Sequence, residues 1–184
     1  LDEVTTCYER ELYRHPEILA YLTEERGFSE RTLARFRIGY APHSFQFLTP
    51  LWSELTGLSL DEGRALGMIK QREEGGTRLY DVFRDRIMCP YMDKQGNVHG
   101  YTARINPASP DKGTVGKYIN TRTTPLFNKS EALFGLAQAH TGIKDWEQAI
   151  IVEGAFDVLA SHQNGYPNVV ASCGTALTAQ HLST

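Results

Sequence analysis

The sequence predicts an α+β fold: a helical and mixed-sheet amino-terminal subdomain, followed by the first βαβ unit of an α/β domain. Three observations carry this. Residues 1–67 read as helices, because residues 17–26 group apolar Ile18, Leu19, Tyr21 and Leu22, and Ser29 stands as a cap before 30–36. A second helical pair follows near 50–56 and 59–66, where Ser59 and Glu62 have the spacing of a capping box. From about residue 79 to 120 the texture changes to strands. Residues 86–92 and 97–105 flank Asp93-Lys94-Gln95-Gly96, a four-residue hairpin signal. Residues 107–116, rich in Pro, Gly, Ser and Asp, read as a mobile loop. The third zone opens with a helix over 135–144. It continues through the apolar run Ala149-Ile150-Ile151-Val152, a helix over 158–163, the stop Asn164-Gly165, and a second apolar run that starts at Asn168 and is ended by Gly174-Thr175. Strand, helix, strand is a βαβ unit. The expected division is therefore 1–67, 68–135 and 136–184.

Glu153-Gly154 closes the first of those apolar runs. A short apolar run bounded by glycine reads as a strand buried on both faces of a parallel sheet. Ligands in open α/β sheets bind beyond the carboxyl ends of the strands, so Glu153 stands where chemistry takes place. Asp157 follows one helical turn later and can share its face. Two carboxylates there suit a hard divalent cation, which takes one or two carboxylates together with water and substrate phosphates. The structural alternative, with Glu153 capping a helix or pairing with a base, has about equal weight on this motif alone.

With 41% apolar and 22% charged residues, the composition is that of an ordinary globular chain. No apolar run approaches the roughly 18 residues of a membrane span and no signal peptide opens the chain, so no membrane partner and a cytoplasmic location are expected. Cys7, Cys89 and Cys173 form no Cys-x-x-Cys pair and the six histidines show no ligand spacing, so no zinc site is expected. The formal net charge of -3 does not announce a nucleic-acid binder. Its distribution does: residues 84–129 hold eight bases against three acids, and the remainder eleven bases against nineteen acids. Clustered bases bind phosphates by counterion release, so the local excess matters more than the total. For Lys94 and Lys112, in turn-like stretches, plain solvation is the better reading. Val152-Glu153-Gly154 offers one glycine where dinucleotide-binding turns use three, which disfavours an oxidoreductase.

Glu153-Gly154-Ala155-Phe156-Asp157-Val158, with Gly165, Asn168, Val170-Ala171 and Gly174-Thr175-Ala176-Leu177-Thr178, resembles the Toprim domain of bacterial-type, DnaG-like DNA primases. Earlier segments resemble the same family's catalytic core in the same order: Arg26-Gly27-Phe28-Ser29, Phe36-Arg37-Ile38-Gly39-Tyr40-Ala41-Pro42, Arg84-Asp85-Arg86-Ile87-Met88-Cys89-Pro90, and Lys117-Tyr118-Ile119-Asn120. The resemblance implies template-directed synthesis of short RNA primers from ribonucleoside triphosphates on single-stranded DNA. It also implies Mg²⁺ (or Mn²⁺) as cofactor and a replicative helicase as partner through a further region. Glu153 is then the catalytic carboxylate, either a direct or water-mediated metal ligand or a general base, and Asp157 supports the metal. Arg104, Lys117 and Asn120 are implied to face the template, with Arg86 and Lys129 lining the same basic cleft. For Arg84 an ion pair with Asp81 or Asp85 is as strong a reading, and Tyr118 is read as sheet packing or base stacking.

The family's Asp-x-Asp pair follows the Gly174-to-Thr178 segment in primases, and its zinc module precedes this core; neither motif occurs in these 184 residues. The expectation is a piece of a longer protein whose isolated polymerase activity is negligible. Two further readings stay open: a non-catalytic single-stranded-DNA-binding module from a mobile-element primase, and another Toprim enzyme, a topoisomerase or nuclease. The Lys117-to-Asn120 and Ile38-to-Pro42 segments favour primase over the latter.

Overall fold

A computed structural model describes residues 1–72, 78–174 and 176–183. Thr175, within the Gly174-to-Thr178 motif, lies outside the described residues, as does Thr184.

Helix α1 (Asp2–Arg14) buries Val4, Tyr8 and Leu12, a stripe at four-residue spacing. Helix α2 (Pro16–Ala20) starts on a proline, whose missing N–H costs nothing there, and runs on as a π-helical turn over Tyr21–Glu25. Ser29 caps α3 (Glu30–Arg35) by accepting the Thr32 amide. The expected run of helices is then interrupted, because Arg37 adopts φ 53° and strand β1 (Gly39–Ala41) follows. Only a glycine fits at 39: a Cβ there would lie 2.6 Å from the Tyr8 backbone, so its absence lets α1 sit directly on β1. Helices α4 (Trp52–Thr56) and α5 (Leu60–Ala65) match the expected pair, and Ser59 and Glu62 form the capping box.

Strands β2 (Ile69–Gln71) and β3 (Leu79–Asp81) form an antiparallel hairpin, of which β2 had no clear sequence signal. Asp81 is buried and receives the amides of Phe47, Leu48 and Thr49 at 2.7–2.8 Å, so it anchors the loop after β1. Strands β4 (Arg86–Met92) and β5 (Val98–Ile105) pair around the expected turn, where Gly96 takes φ 90° and its amide bonds the Asp93 carbonyl. With β6 (Tyr118–Asn120) they make an antiparallel sheet in the order β1-β4-β5-β6. One face, through Met88, Tyr101 and Ala103, packs on Val4, Tyr8, Trp52 and Ile69. The other, through Ile87, Cys89 and Tyr91, packs on the carboxyl-terminal third.

That third comprises α6 (Leu136–Trp146), β7 (Ile150–Val152), α7 (Ala155–Gln163), β8 (Val169–Ala171) and α8 (Ala179–Ser183). β7 and β8 are parallel and α7 crosses between them, the expected βαβ unit. β8 is buried throughout. β7 departs from the expectation of burial on both faces: Ile151 is exposed, because among the described residues β7 has a strand partner on one edge only. The unit is fastened to the helical start by Phe28 against Phe156, Phe36 against Phe134, and Gln163, which receives the Ser29 amide and donates to the Gly27 carbonyl.

Candidate nucleic-acid and metal site

At the carboxyl end of β7 the chain leaves the sheet as Glu153-Gly154 and enters α7. The helix start is held by Asp157, whose Oδ2 accepts the Gly154 amide at 3.1 Å. Glu153 therefore does not cap the helix, and among the described residues it makes no hydrogen bond or ion pair; it is exposed. Both carboxylates line a cleft of about 480 Å³ whose other walls include Thr102, Tyr118, Ser172 and Gly174. The cleft thus forms where the end of β7, the turn after β8, and the outward residues of β5 and β6 meet. Cys173 also faces it, but burial pushes its thiol up to about 11, so it stands as a neutral thiol and supplies no thiolate ligand. Cys173 and Gly174 both adopt positive φ, 48° and 80°, and turn the chain sharply beyond β8.

Two carboxylates are the whole acidic complement here: no group of three or more His, Cys, Asp or Glu that could hold a metal ion occurs among the described residues. The donor set still fits a hard cation. Among the described residues Asp157 keeps Oδ1 free of hydrogen bonds and Glu153 both oxygens, and Mg²⁺ commonly takes one or two carboxylates and fills its octahedron with water and phosphate.

Arg104, whose partner Tyr118 lines the cleft, is held on aromatic rings. Arg104 lies 5.1 Å from the Phe156 ring centroid and 5.5 Å from that of Tyr118, and donates from Nη1 to the Tyr118 hydroxyl at 2.8 Å. Burial alone would depress its pKa, but the bond to Tyr118 and nearby phenolic oxygens outweigh that and raise it, so the charge is permanent. Its Nε is buried without a partner. Arg26 also packs on Phe156: its guanidinium lies 5.2 Å from the centroid of the same ring. Nothing periodic marks Arg26 or Phe156 as a pair; the contact comes from packing the first turn-and-helix segment on α7. Tyr118 is neither wholly sheet-packed nor free, since its ring is 38% exposed on edge strand β6 while its hydroxyl holds Arg104.

The remaining candidates separate. Lys117 is exposed beside β6, and its carbonyl accepts the Ile105 amide. Asn120 reaches the Cys173 carbonyl at 3.4 Å, and Lys129 Nζ the Gly174 carbonyl at 3.3 Å, so both touch the turn that borders the cleft. Arg86 does not line the cleft as expected. It is 4% exposed, and its guanidinium donates to the carbonyls of Gly116 (3.0 Å), Ala103 (3.2 Å) and Lys117 (3.5 Å). The reason is its register: Arg86 opens β4 on the face opposite Ile87 and Cys89, where a loop crosses with open carbonyls. Arg84 likewise makes no ion pair with Asp81 or Asp85; it donates to the Asp81 and Val82 carbonyls and lies over Phe45 and Tyr80.

Comparison with known proteins decides the family. Residues 7–140 match the model of the DNA primase catalytic core, N-terminal domain, and residues 147–184 that of the Toprim domain. The chain belongs to the DNA primase catalytic-core family. The DNA primases of Synechocystis sp. and Deinococcus radiodurans are each 39% identical to it, over 90% and 85% of this chain and 25% and 26% of their own lengths. This primase chain thus spans about a quarter of the curated relatives it matches. The RNA polymerase domain of the Mycobacterium tuberculosis primase superposes with a TM-score of 0.86 at 34% identity, covering 98% of this chain and 57% of that one. A primase catalytic domain bound to single-stranded DNA superposes at 0.85 and 33% identity, covering 99% and 56%. The mixed α+β core ending in the start of a Toprim domain is that of these primase structures.

Proposed function

We propose that this chain is the part of a DNA primase that brings a single-stranded DNA template to the first carboxylate of the metal site, for RNA primer synthesis from ribonucleoside triphosphates. One observation carries the reading: Glu153, exposed at the end of β7 and without a partner among the described residues, opens into the same cleft as Tyr118, which holds Arg104. Arg104 and Lys117 would hold template phosphates, Arg104 as a planar fork fixed on two rings and Lys117 as a mobile point charge. Asn120 and Lys129 would shape the bordering turn and meet the template or incoming nucleotide, and Arg86 would act through the loop that carries Lys117. The Toprim match favours a divalent cation; Glu153 and Asp157 suit Mg²⁺ or Mn²⁺, which when bound would neutralise charge developing on the α-phosphate. Glu153 serves as its ligand or as the base for the primer hydroxyl. We keep the division 1–67, 68–135 and 136–184 on the change from helices to sheet to βαβ unit. A replicative helicase as partner of another region and a cytoplasmic location belong to the same reading; no described helix is long and apolar enough to cross a membrane.

The test is templated primer synthesis by the complete primase carrying this sequence. Glu153→Gln is expected to lower the rate by at least about a hundredfold, the scale of losing one principal electrostatic element. Wild-type activity in Glu153→Gln would contradict the assignment.

A further inference from the structure

Thr102 stands in the middle of β5 with its side chain on the cleft face of the central sheet. The register sets it between Cys89 of β4 and Asn120 of β6, so the three side chains form one row across three strands. Neither neighbour satisfies its hydroxyl. Asn120 donates its amide group to the Cys173 carbonyl at 3.4 Å, and its Oδ1 accepts the Tyr91 hydroxyl at 3.5 Å. Cys89 offers only a buried thiol, which bonds weakly. Among the described residues the Thr102 side chain makes no hydrogen bond, although it is 1% exposed and lines the cleft.

Buried hydroxyls are as a rule paired, because an unpaired one has lost its hydration without a replacement. For Thr102 the partner has to come from the cleft: water while the cleft is empty, and a substrate group once it is filled. Two other side-chain hydroxyls line the same cleft. That of Tyr118 is taken up by Arg104, and Ser172 is only partly buried, so Thr102 is the enclosed one.

We propose that Thr102 is a specificity-determining residue, whose hydroxyl pairs with the ribose 2′-hydroxyl of the nucleotide reacting beside Glu153 and so favours ribonucleotides over deoxyribonucleotides. The inference rests on the function proposed above and names how that same site selects its sugar. Chemistry narrows the partner to this group. A threonine hydroxyl is neutral and both donates and accepts, as a sugar hydroxyl does. Phosphates are drawn to cations, base edges pair with the template in a templated reaction, and the 3′ oxygen is the reacting atom at the metal. The 2′-hydroxyl is what is left beside it. A deoxynucleotide leaves Thr102 unpaired in the filled cleft, and a site built to bond a substrate hydroxyl rejects the analogue that lacks it.

The test is single-nucleotide addition by the complete primase carrying this sequence, with kcat/KM measured for ATP and for 2′-deoxy-ATP. Thr102→Val keeps the β-branched shape and removes the hydroxyl. It is expected to lower the ratio of ATP to 2′-deoxy-ATP about tenfold, the scale of one neutral hydrogen bond. Thr102→Ala, which removes the hydroxyl without adding a methyl group, should show the same fall, and Thr102→Ser should keep most of the ratio. A merely structural threonine would lower both substrates together, so a wild-type ratio in Thr102→Val and Thr102→Ala overturns the proposal. A fall seen with one of the four nucleotides alone would put the hydroxyl on a base edge, and a fall against 3′-deoxy-ATP in place of 2′-deoxy-ATP would put it at the reacting end; either overturns it. Glu153→Gln, run alongside, tests the reading beneath. If that variant adds nucleotides at the wild-type rate, the cleft is not the reaction centre and both fall. If it is silent while Thr102→Val keeps the wild-type ratio, only the 2′-hydroxyl contact falls.

Discussion

Asp85 shows how a single carboxylate organises the edge of the basic region. It is 3% exposed, adopts φ 51°, and receives the Tyr40 hydroxyl at 2.5 Å and the Asn106 amide group at 2.9 Å, with His43 at 3.2 Å. Burial alone would raise its pKa, but hydrogen bonds from Ser109, Tyr40, Asn106 and His43 outweigh it, and the net shift is downward. A carboxylate depressed in the folded state stabilises fully above its unfolded value, about 3.9, and the contribution is lost as pH falls through the lower folded value. Thermal unfolding from pH 6 downward should therefore show an acid limb that becomes shallower in Asp85→Asn; an unaltered limb would remove Asp85 from the account. Arg86 works in the same way on the other side of the loop. Arg86→Ala removes a donor from three carbonyls, of which that of Lys117 keeps the Ile105 amide, and should cost about 2–4 kcal/mol in urea unfolding, with weaker single-stranded DNA binding, and Arg86→Lys should restore part of both. A purely surface arginine would leave the stability unchanged. Of these side chains, the sequence made Glu153 legible because an acid ending an apolar run has one place to be. It did not separate Arg86 from Arg104, since both are arginines in strands and only the register decides that one meets carbonyls and the other rings.

Elements whose signals are local were the readable ones. The Ser59–Glu62 capping box, the Asp93-to-Gly96 turn and the βαβ unit each depend on residues within a few positions of one another, and each is present. β1 and β2 were missed as strands because three residues carry too little alternation. β1 exists through its partners: it pairs with β4 and lies under α1. Gly39 makes that second contact possible, and Gly39→Ala should destabilise the chain by about 1–3 kcal/mol, since a methyl group 2.6 Å from the Tyr8 backbone has no flexible neighbour to displace. Urea unfolding measures this, and Gly96→Ala beside it gives the separate cost of a positive φ, 90° there, where the added Cβ meets nothing within 4 Å. A cost near zero for Gly39→Ala, which has no positive φ to strain, would mean that α1 does not press on β1.

For the molecule as a whole, the central sheet acts as a divider. One face carries the core under α1 and α4, the other the core shared with the βαβ unit, and the cleft opens where the second face meets the end of β7. The segmental charge count anticipated a basic middle, but the fold distributes it: Arg104 turns to the Tyr118 and Phe156 rings, Arg84 to those of Phe45 and Tyr80, and Arg86 inward. Linear counting has no access to that sorting, because it follows from the strand faces that Arg86 and Arg104 occupy and from the β3–β4 connection that carries Arg84. The central claim is that Glu153 holds a cation beside a bound strand. Affinity cleavage tests it most directly: Fe²⁺ replaces Mg²⁺ on the chain with bound single-stranded DNA, and ascorbate and peroxide then release hydroxyl radicals at the metal. The account predicts cuts in the polypeptide around residues 153–157 and 172–174 and in the DNA, all lost in Glu153→Gln. Cuts that fall elsewhere, or that survive Glu153→Gln unchanged, would contradict it.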